Sequence, residues 1–473
     1  MSLNTKHVKF TGRLIIVGFG SIGQGVLPLI LRHVEIKPEQ ITIVTAEDRG
    51  RSVAEGYGIT FVREPLTPGN HVQVLDPLVG SGDFLLNLSV DVSSLALVDF
   101  CHRKDAFYLD TCIEPWAGGY TDPNLTPSRR SNYALRDTAL ARKKDYIGGR
   151  TAVLGHGANP GLVSHFVKQA MLNIARDIGV TVAEPPRTRE GWAGLAKALG
   201  IKVIHVAERD TQRASFPKRR GEFVNTWSID GFVGEGCQPA ELGWGSHEKA
   251  LPADGRRHDF GGDAAIFLLR PGASTRVRTW TPNEGHFHGF LITHNEAISI
   301  ADYYTVREGD RVAYRPTCHY AYHPCDDAVL SVHEVAGKNW HLQDSKRLMM
   351  DEITDGMDEL GVLLMGHAKG AYWYGSQLTI QLARDLAPYN NATSLQVTVA
   401  VLAGMIWALE NPSAGVIEAD EMEFQRVLEI CAPYLGDVVG AYSDWTPLKD
   451  RGLLFEEDLD RDDPWQFKNF RVI

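Results

Sequence analysis

Trp227, Asp230 and Glu235 lie close together in NTWSIDGFVGEG, residues 225–236, a stretch punctuated by glycines. An indole face beside carboxylates suits a small organic cation, which gains ion pairing from the acids and attraction to the ring quadrupole. The alternation in FVNTW also predicts a strand with Phe223, Asn225 and Trp227 on one face, where a tryptophan would pack as core. Both readings of Trp227 are open at this point. KVIHVAERDTQ, 202–212, alternates as a strand and turns Glu208 and Asp210 to the same side. Such a pair reads either as a functional acid site or as a solvated strand end neutralised by Arg209 or Arg213. In GFLITHNEAISIADYYTV, 289–306, a strand passes into a helix and Thr293 and Glu296 have the T-x-x-E capping spacing, which accounts for Glu296. His294 between them is either a general base near neutral pH or a hydrogen-bonded histidine at an element boundary. Asp355 and Asp358 are spaced as one helical turn, which predicts a solvated face. Cys318, His319, His323 and Cys325 in TCHYAYHPCDDA are soft ligands without a zinc spacing, and the segment reads as a buried strand and turn; no metal is expected.

These side chains need elements to hold them, and the N-terminus supplies a clear one. RLIIVGFGSIGQGVLPLILRH, 13–33, runs from an apolar strand through Gly18, Gly20 and Gly23 into an amphipathic helix, the dinucleotide fingerprint in its required context. Gly18 permits the tight turn, Gly20 lets backbone approach a pyrophosphate, and Gly23 allows close helix packing, with Ser21 and Ile22 opening the helix. The second strand, QITIVTAED, brings Thr45 to its tip with Glu47 and Asp48 just beyond and Arg49 and Arg51 following, which favours NAD over NADP as cofactor. Strands over DFLLNLSVD (83–91) and AFYLDTCIEPW (106–116) end in polar residues where an open α/β sheet binds its ligand, adding Asn87, Ser89, Asp91, Thr111 and Cys112 to the expected cofactor contacts. Asn159, in the turn of LGHGANPGLVSHFVKQA, either caps the following helix or reaches the nicotinamide or substrate.

With 473 residues the chain predicts two or three domains. Its 48 Lys and Arg against 59 Asp and Glu give a formal charge of -11, which disfavours nucleic acid and anionic membranes and favours cationic ligands. Six scattered cysteines and no secretory-type apolar region near the N-terminus predict a cytoplasmic location. VTVAVLAGMIWAL, 397–409, is too short for a membrane span and reads as a buried helix.

GFGSIGQGVLPLI, EPWAGGY, GANPGLVSHFVKQA, HVAERDTQRASFPK, NTWSIDGFVGEGCQPAELGWG, THNEAISIADY, GMDELGVLLMGH and AYWYGSQL together resemble the bacterial homospermidine synthase family, relatives of the saccharopine dehydrogenases. The resemblance runs from about residue 12 to the C-terminus. It implies an α/β chain with an N-terminal Rossmann dinucleotide-binding domain, 1–155, completed by a C-terminal segment of about 380–473, and a second α+β substrate and dimerisation domain, 156–379. It implies NAD as an internally recycled hydride carrier, diamines such as putrescine as substrates, and a homodimer. The indole that faces the cationic intermediate would be Trp227. The catalytic group would further include Glu208, Asn159, His294 and Glu235, with Glu114, Glu296 and Asp358 as substrate-binding acids. Relatives can carry Asp where this chain has Thr45, and cysteines where it has LGHG at 154–157. Two other readings are a reductase of the saccharopine dehydrogenase kind, which needs an arginine clamp from Arg209, Arg213 or Arg315, and a dinucleotide sensor without turnover.

Overall fold

A computed structural model describes residues 3–473. Two sheets organise the chain. The first is seven-stranded and wholly parallel, with the spatial order Val416–Glu418, Ala152–Leu154, Phe107–Asp110, Phe84–Asn87, Leu14–Val17, Ile41–Thr45 and Thr60–Arg63. Its central strands are short continuous apolar runs because helices cover both faces. Strand order reverses beside Leu14–Val17, where successive crossovers leave to opposite sides, so a crevice opens beyond the carboxyl ends of that strand and Phe84–Asn87.

The second sheet has eleven strands and centres on Val203–Asp210, which runs parallel to Thr317–His323 and antiparallel to Met357–His367. The register sets Glu208 opposite Tyr322 and Leu360, and Asp210 opposite Asp358. Since alternate residues share a face, Glu208, Asp210, Asp358, Tyr320 and Tyr322 all project to one side. The helical spacing of Asp355 and Asp358 is therefore overturned: they sit on separate strands, Asp355 exposed and Asp358 fully buried. Asp355 pairs with Arg213 at 2.6 Å.

The chain does return to the first half after residue 380, but only in part. The apolar helix Ala392–Glu410 is buried along nearly its whole length and packs on Ser21–His33, and Val416–Glu418 completes the parallel sheet. Asp437–Ser443 and Arg471–Val472 instead join the second sheet, which corrects the expectation that the whole C-terminal segment belongs with the dinucleotide half. The physical reason is pairing: Asp437–Ser443 covers the edge of Gly370–Thr379, an edge that would otherwise expose its backbone groups.

Candidate active site

A cleft of about 1130 Å³ runs from the crevice of the parallel sheet to the acid face of the second sheet. Its first half is shaped by glycines. Gly18 has φ +85°, and a Cβ there would lie 2.8 Å from the Ser89 backbone. A Cβ on Gly20 meets nothing within 4 Å, so open space lies directly ahead of the helix Ser21–His33. Gly20 gives no side-chain cap and the first turn holds no acid, so the leading N–H groups and the positive helix end face that space. This is an anion cradle of the kind a dinucleotide pyrophosphate occupies. Gly18, Gly20, Ser21, Ile22 and Thr45 line this half of the cleft. Gly23 does not: its Cβ would come 2.9 Å from the Gly18 carbonyl and from Phe19, so it serves packing of helix on turn.

Asn87 is also behind the cleft wall rather than in it. Its Oδ1 accepts from the Ser89 hydroxyl at 2.6 Å, and its Nδ2 donates to Tyr108 Oη at 3.2 Å. Ser89, thus oriented, lines the cleft with Asp91, Thr111, Cys112 and Asn159. Beyond Thr45, Asp48 is shared by Arg51 at 2.7 Å and Arg63 at 2.8 Å, and neither guanidinium lines the cleft. Of the basic residues beside Thr45, Arg49 lines the cleft together with Glu47. Exchanging Gly20 for Val fills the cradle at an unstrained φ of -74°. Gly20→Val is expected to weaken NAD binding about tenfold or more, roughly the 1.4 kcal/mol of a lost phosphate contact, while the melting temperature without cofactor stays unchanged. Equal NAD titration curves would refute the assignment of the cradle.

The second half of the cleft is acidic and aromatic. The strand expected over FVNTW ends at Asn225, so Trp227 stands in the following turn and not on the strand face, half-buried. Its indole N–H donates to Tyr322 Oη at 3.1 Å and its ring packs on Phe232 at 5.5 Å, which fixes its orientation along the cleft. The glycine-punctuated stretch is a helix, Ile229–Cys237, capped by Ser228, and it carries Glu235 inward. Asp230 points to the rim and pairs with Lys346.

Glu235 meets His294: Nε2 of the histidine lies 2.8 Å from Glu235 Oε2, and Nδ1 lies 3.2 Å from Glu296 Oε1. Burial alone would strip the proton from His294, but two flanking carboxylates overcome it and raise its pKa well above the ordinary value. His294 is therefore an imidazolium held between two acids. The capping box expected from Thr293 and Glu296 is overturned. The helix begins at Asn295, and the Thr293 hydroxyl instead donates to the Pro239 carbonyl at 2.7 Å. Glu296 lies fully buried behind His294 and does not reach the cleft.

Glu208 is the centre of the acid face. Its Oε2 accepts from Asn159 Nδ2 at 3.1 Å and from Tyr320 Oη at 2.5 Å, so Asn159 is no helix cap; Gly161 stands at that position. Burial pushes the Glu208 carboxyl up to about 8, helped by Asp210 and opposed by its two donors and by His294. The solvated reading of the Glu208–Asp210 pair fails, because both are buried, and Arg209 faces away toward Glu284 and Asp326. Asp210 is a structural acceptor for Thr226 and Gln212. Asp358 lies beside them, fully buried, outside the cleft wall, and is held well above the ordinary carboxylate range by burial and then by Glu208 and Asp210. Glu114 lines the cleft between the halves, pushed up by burial and by Glu235. Tyr320 and Tyr322 are site residues that local reading passes over. Their alternation is visible in TCHYAYHPC, but their partners depend on strand register.

None of Arg209, Arg213 and Arg315 lines the cleft. Arg315 donates to Thr305 Oγ1 and to backbone carbonyls, and Arg347, which does line the cleft, is paired with Glu222 at 3.0 Å. A free guanidinium clamp for a substrate carboxylate is not among the described residues of the acid half.

The fold and the cleft define a two-part dinucleotide-dependent protein of the saccharopine dehydrogenase plan. The saccharopine dehydrogenase NADP-binding domain matches residues 14–153 and the saccharopine dehydrogenase C-terminal domain matches residues 157–442. The chain belongs to the homospermidine synthase family: it is 56% identical over 468 residues to the homospermidine synthase of Blastochloris viridis, covering 98% of each chain. The homospermidine synthase of Mesorhizobium japonicum is 53% identical, over 98% of this chain and 97% of that one. The crystal structure of the homospermidine synthase of Legionella pneumophila in complex with NAD superposes with a TM-score of 0.93 at 49% identity over the whole of both chains. Saccharopine dehydrogenase of Saccharomyces cerevisiae, 11% identical with a TM-score of 0.51 over 91% of this chain and all of that one, shares the fold.

Proposed function

We propose that this chain forms homospermidine from two molecules of putrescine with release of one ammonia, using NAD that is regenerated in the same turnover. The observation that carries the reading is that Glu208, Glu235, Glu114 and Trp227 line one and the same cleft as the glycine turn and helix start of the pyrophosphate cradle. The match to homospermidine synthases over nearly the whole chain supports it.

NAD held at Gly18, Gly20, Ser21 and Ser89 would accept a hydride from the amine-bearing carbon and return it once the amine of the second putrescine has added to the imine so formed and ammonia has left, to the new carbon–nitrogen double bond. The residues of the chain prepare the amine for this. A primary ammonium cannot release hydride from its carbon until the nitrogen lone pair is free, so one end of the diamine must lose a proton. Above its raised pKa of about 8 Glu208 is ionised and accepts that proton, while Asn159 and Tyr320 keep the carboxyl aimed. Glu235 draws the ammonium at the other end, with the His294 imidazolium behind it limiting repulsion between Glu235 and Glu296. Positive charge then develops on the reacting carbon and nitrogen, and the Trp227 face stabilises that charge more than the neutral amine. Burial of the acid face excludes water, which keeps an imine from hydrolysing to aminoaldehyde.

Because the hydride is returned, the cofactor requirement is catalytic. Purified enzyme given excess putrescine and a small amount of NAD is expected to yield many equivalents of homospermidine and ammonia per NAD, read by mass spectrometry, with no sustained rise in absorbance of reduced cofactor. Accumulation of NADH in step with putrescine loss would replace this reading by a simple amine dehydrogenase. Net consumption of added NADH would indicate a saccharopine dehydrogenase-like reductase.

A further inference from the structure

The hairpin Arg276–Thr281 and Gly285–Phe290 turns Val277, Thr279 and Thr281 inward and leaves Arg276, Arg278 and Trp280 on its outer face. Register places His288 opposite Arg278 and His286 opposite Trp280. Beside this face lies a pocket of about 300 Å³ lined by Arg278, His286, Phe287, His288, Trp445 and Lys449, and it shares no residue with the acidic cleft.

Its lining carries cationic groups and no carboxylate. Arg278 has no carboxylate within ion-pairing distance among the described residues, and its Nε is buried without a hydrogen-bond partner. Arg276, two residues away on the same face, likewise lacks a carboxylate; it lies over the Phe290 ring at 3.3 Å and meets His333 Nε2 at 3.2 Å. The acids nearby are already engaged, Asp444 with Lys449 at 3.0 Å and Glu457 with Arg451. Burial, and then the neighbouring Arg451, lower the pKa of Arg278 against the pull of Glu457; burial and then Arg278, Arg276 and Arg451 lower that of His288. Uncompensated cations repel one another here although the chain carries a formal charge of -11. The Arg278 guanidinium, without a carboxylate partner, and two imidazoles around one concavity match the oxygens of a phosphate group, with Lys449 beside them shared with Asp444.

We propose that this pocket binds a small polyanion of the phosphate class, held chiefly by Arg278. The inference is independent of the reaction assigned to the cleft. Its test uses full-length enzyme saturated with NAD, so that the cofactor cradle is filled, titrated calorimetrically with tripolyphosphate at constant ionic strength. Saturable binding of one anion per chain is expected, weakened at least tenfold in Arg278→Gln, partly restored in Arg278→Lys, weakened also in His288→Gln, and unchanged in Gly20→Val. Homospermidine formation without the anion should be equal in wild type and Arg278→Gln, which also shows that the variant folds. Absence of saturable binding in the wild type, equal affinity in Arg278→Gln, or loss of binding in Gly20→Val would each overturn the proposal, the last by moving the anion to the cofactor cradle.

Discussion

Glu208→Gln is expected to lower turnover by a hundredfold or more while leaving the protein at least as stable as the wild type. The activity loss follows from removing a positioned proton acceptor, an effect typically of order 10²–10⁴-fold. The stability follows from the surroundings. A glutamine at this position is nearly isosteric, its carbonyl oxygen can still accept from Asn159 and Tyr320, and it relieves repulsion with Asp210 and Asp358. Glu208 holds its proton up to about 8 in the folded protein but only to about 4.5 when unfolded. The folded state therefore binds more protons over that interval, and its stability falls as pH rises. The glutamine variant does not share this loss. Its advantage in melting temperature over the wild type should widen from pH 5 to 8 and then level off. A variant with normal kinetics would return Glu208 to a purely structural role, and a pH-independent difference in melting temperature would contradict its raised proton affinity.

Trp227→Ala is expected to remain folded, bind NAD and turn over tens of fold more slowly or worse. A desolvated cation over an indole is worth about 2 kcal/mol or more, which is a factor of roughly thirty in rate if felt only as charge develops. Trp227→Phe keeps a smaller π-face and should retain part of the activity, although it cannot donate to Tyr322 as the indole does. Core packing forecasts a different pattern. Truncating a fully buried tryptophan costs about 3–5 kcal/mol of stability, but Trp227 is only half-buried and stands in a turn along the cleft wall. The comparison that decides is rate per folded molecule against melting temperature. An early-melting Trp227→Ala whose folded fraction works at the wild-type rate would make the ring a core residue.

Much of the cofactor half could be read locally. The apolar strand, the glycine turn and the helix after it are consecutive in the chain; Gly18 and Gly23 each meet a steric condition set within a few residues or by the adjoining strand, and Gly20 faces open space. The acid half was legible only as candidates. Glu208 and Asp210 share a face by simple alternation, yet nothing in KVIHVAERDTQ distinguishes a solvated edge from the centre of an eleven-stranded sheet. Thr293 and Glu296 show a local signal that the folded chain does not use, because a buried imidazolium competes more strongly for the carboxylate than a helix end does. Asp355 and Asp358 show the same failure in period, since residues three apart look alike on a helix and across a turn between strands.

What the sequence by itself determined is therefore the dinucleotide-binding architecture, the excess of acid suited to a cationic ligand, and the identity of the groups able to do chemistry. The tertiary structure alone decided which of them act together. Strand register brought Tyr320, Tyr322 and Asp358 to the face of Glu208, and docking of Ile229–Cys237 against the turn before Asn295 set Glu235 on His294. The division is physical. Turn and helix signals depend on sterics between near neighbours in the chain, whereas the proton affinities that make these acids reactive depend on burial and on charges from segments dozens or hundreds of residues away, which exist only once the sheet has closed over them.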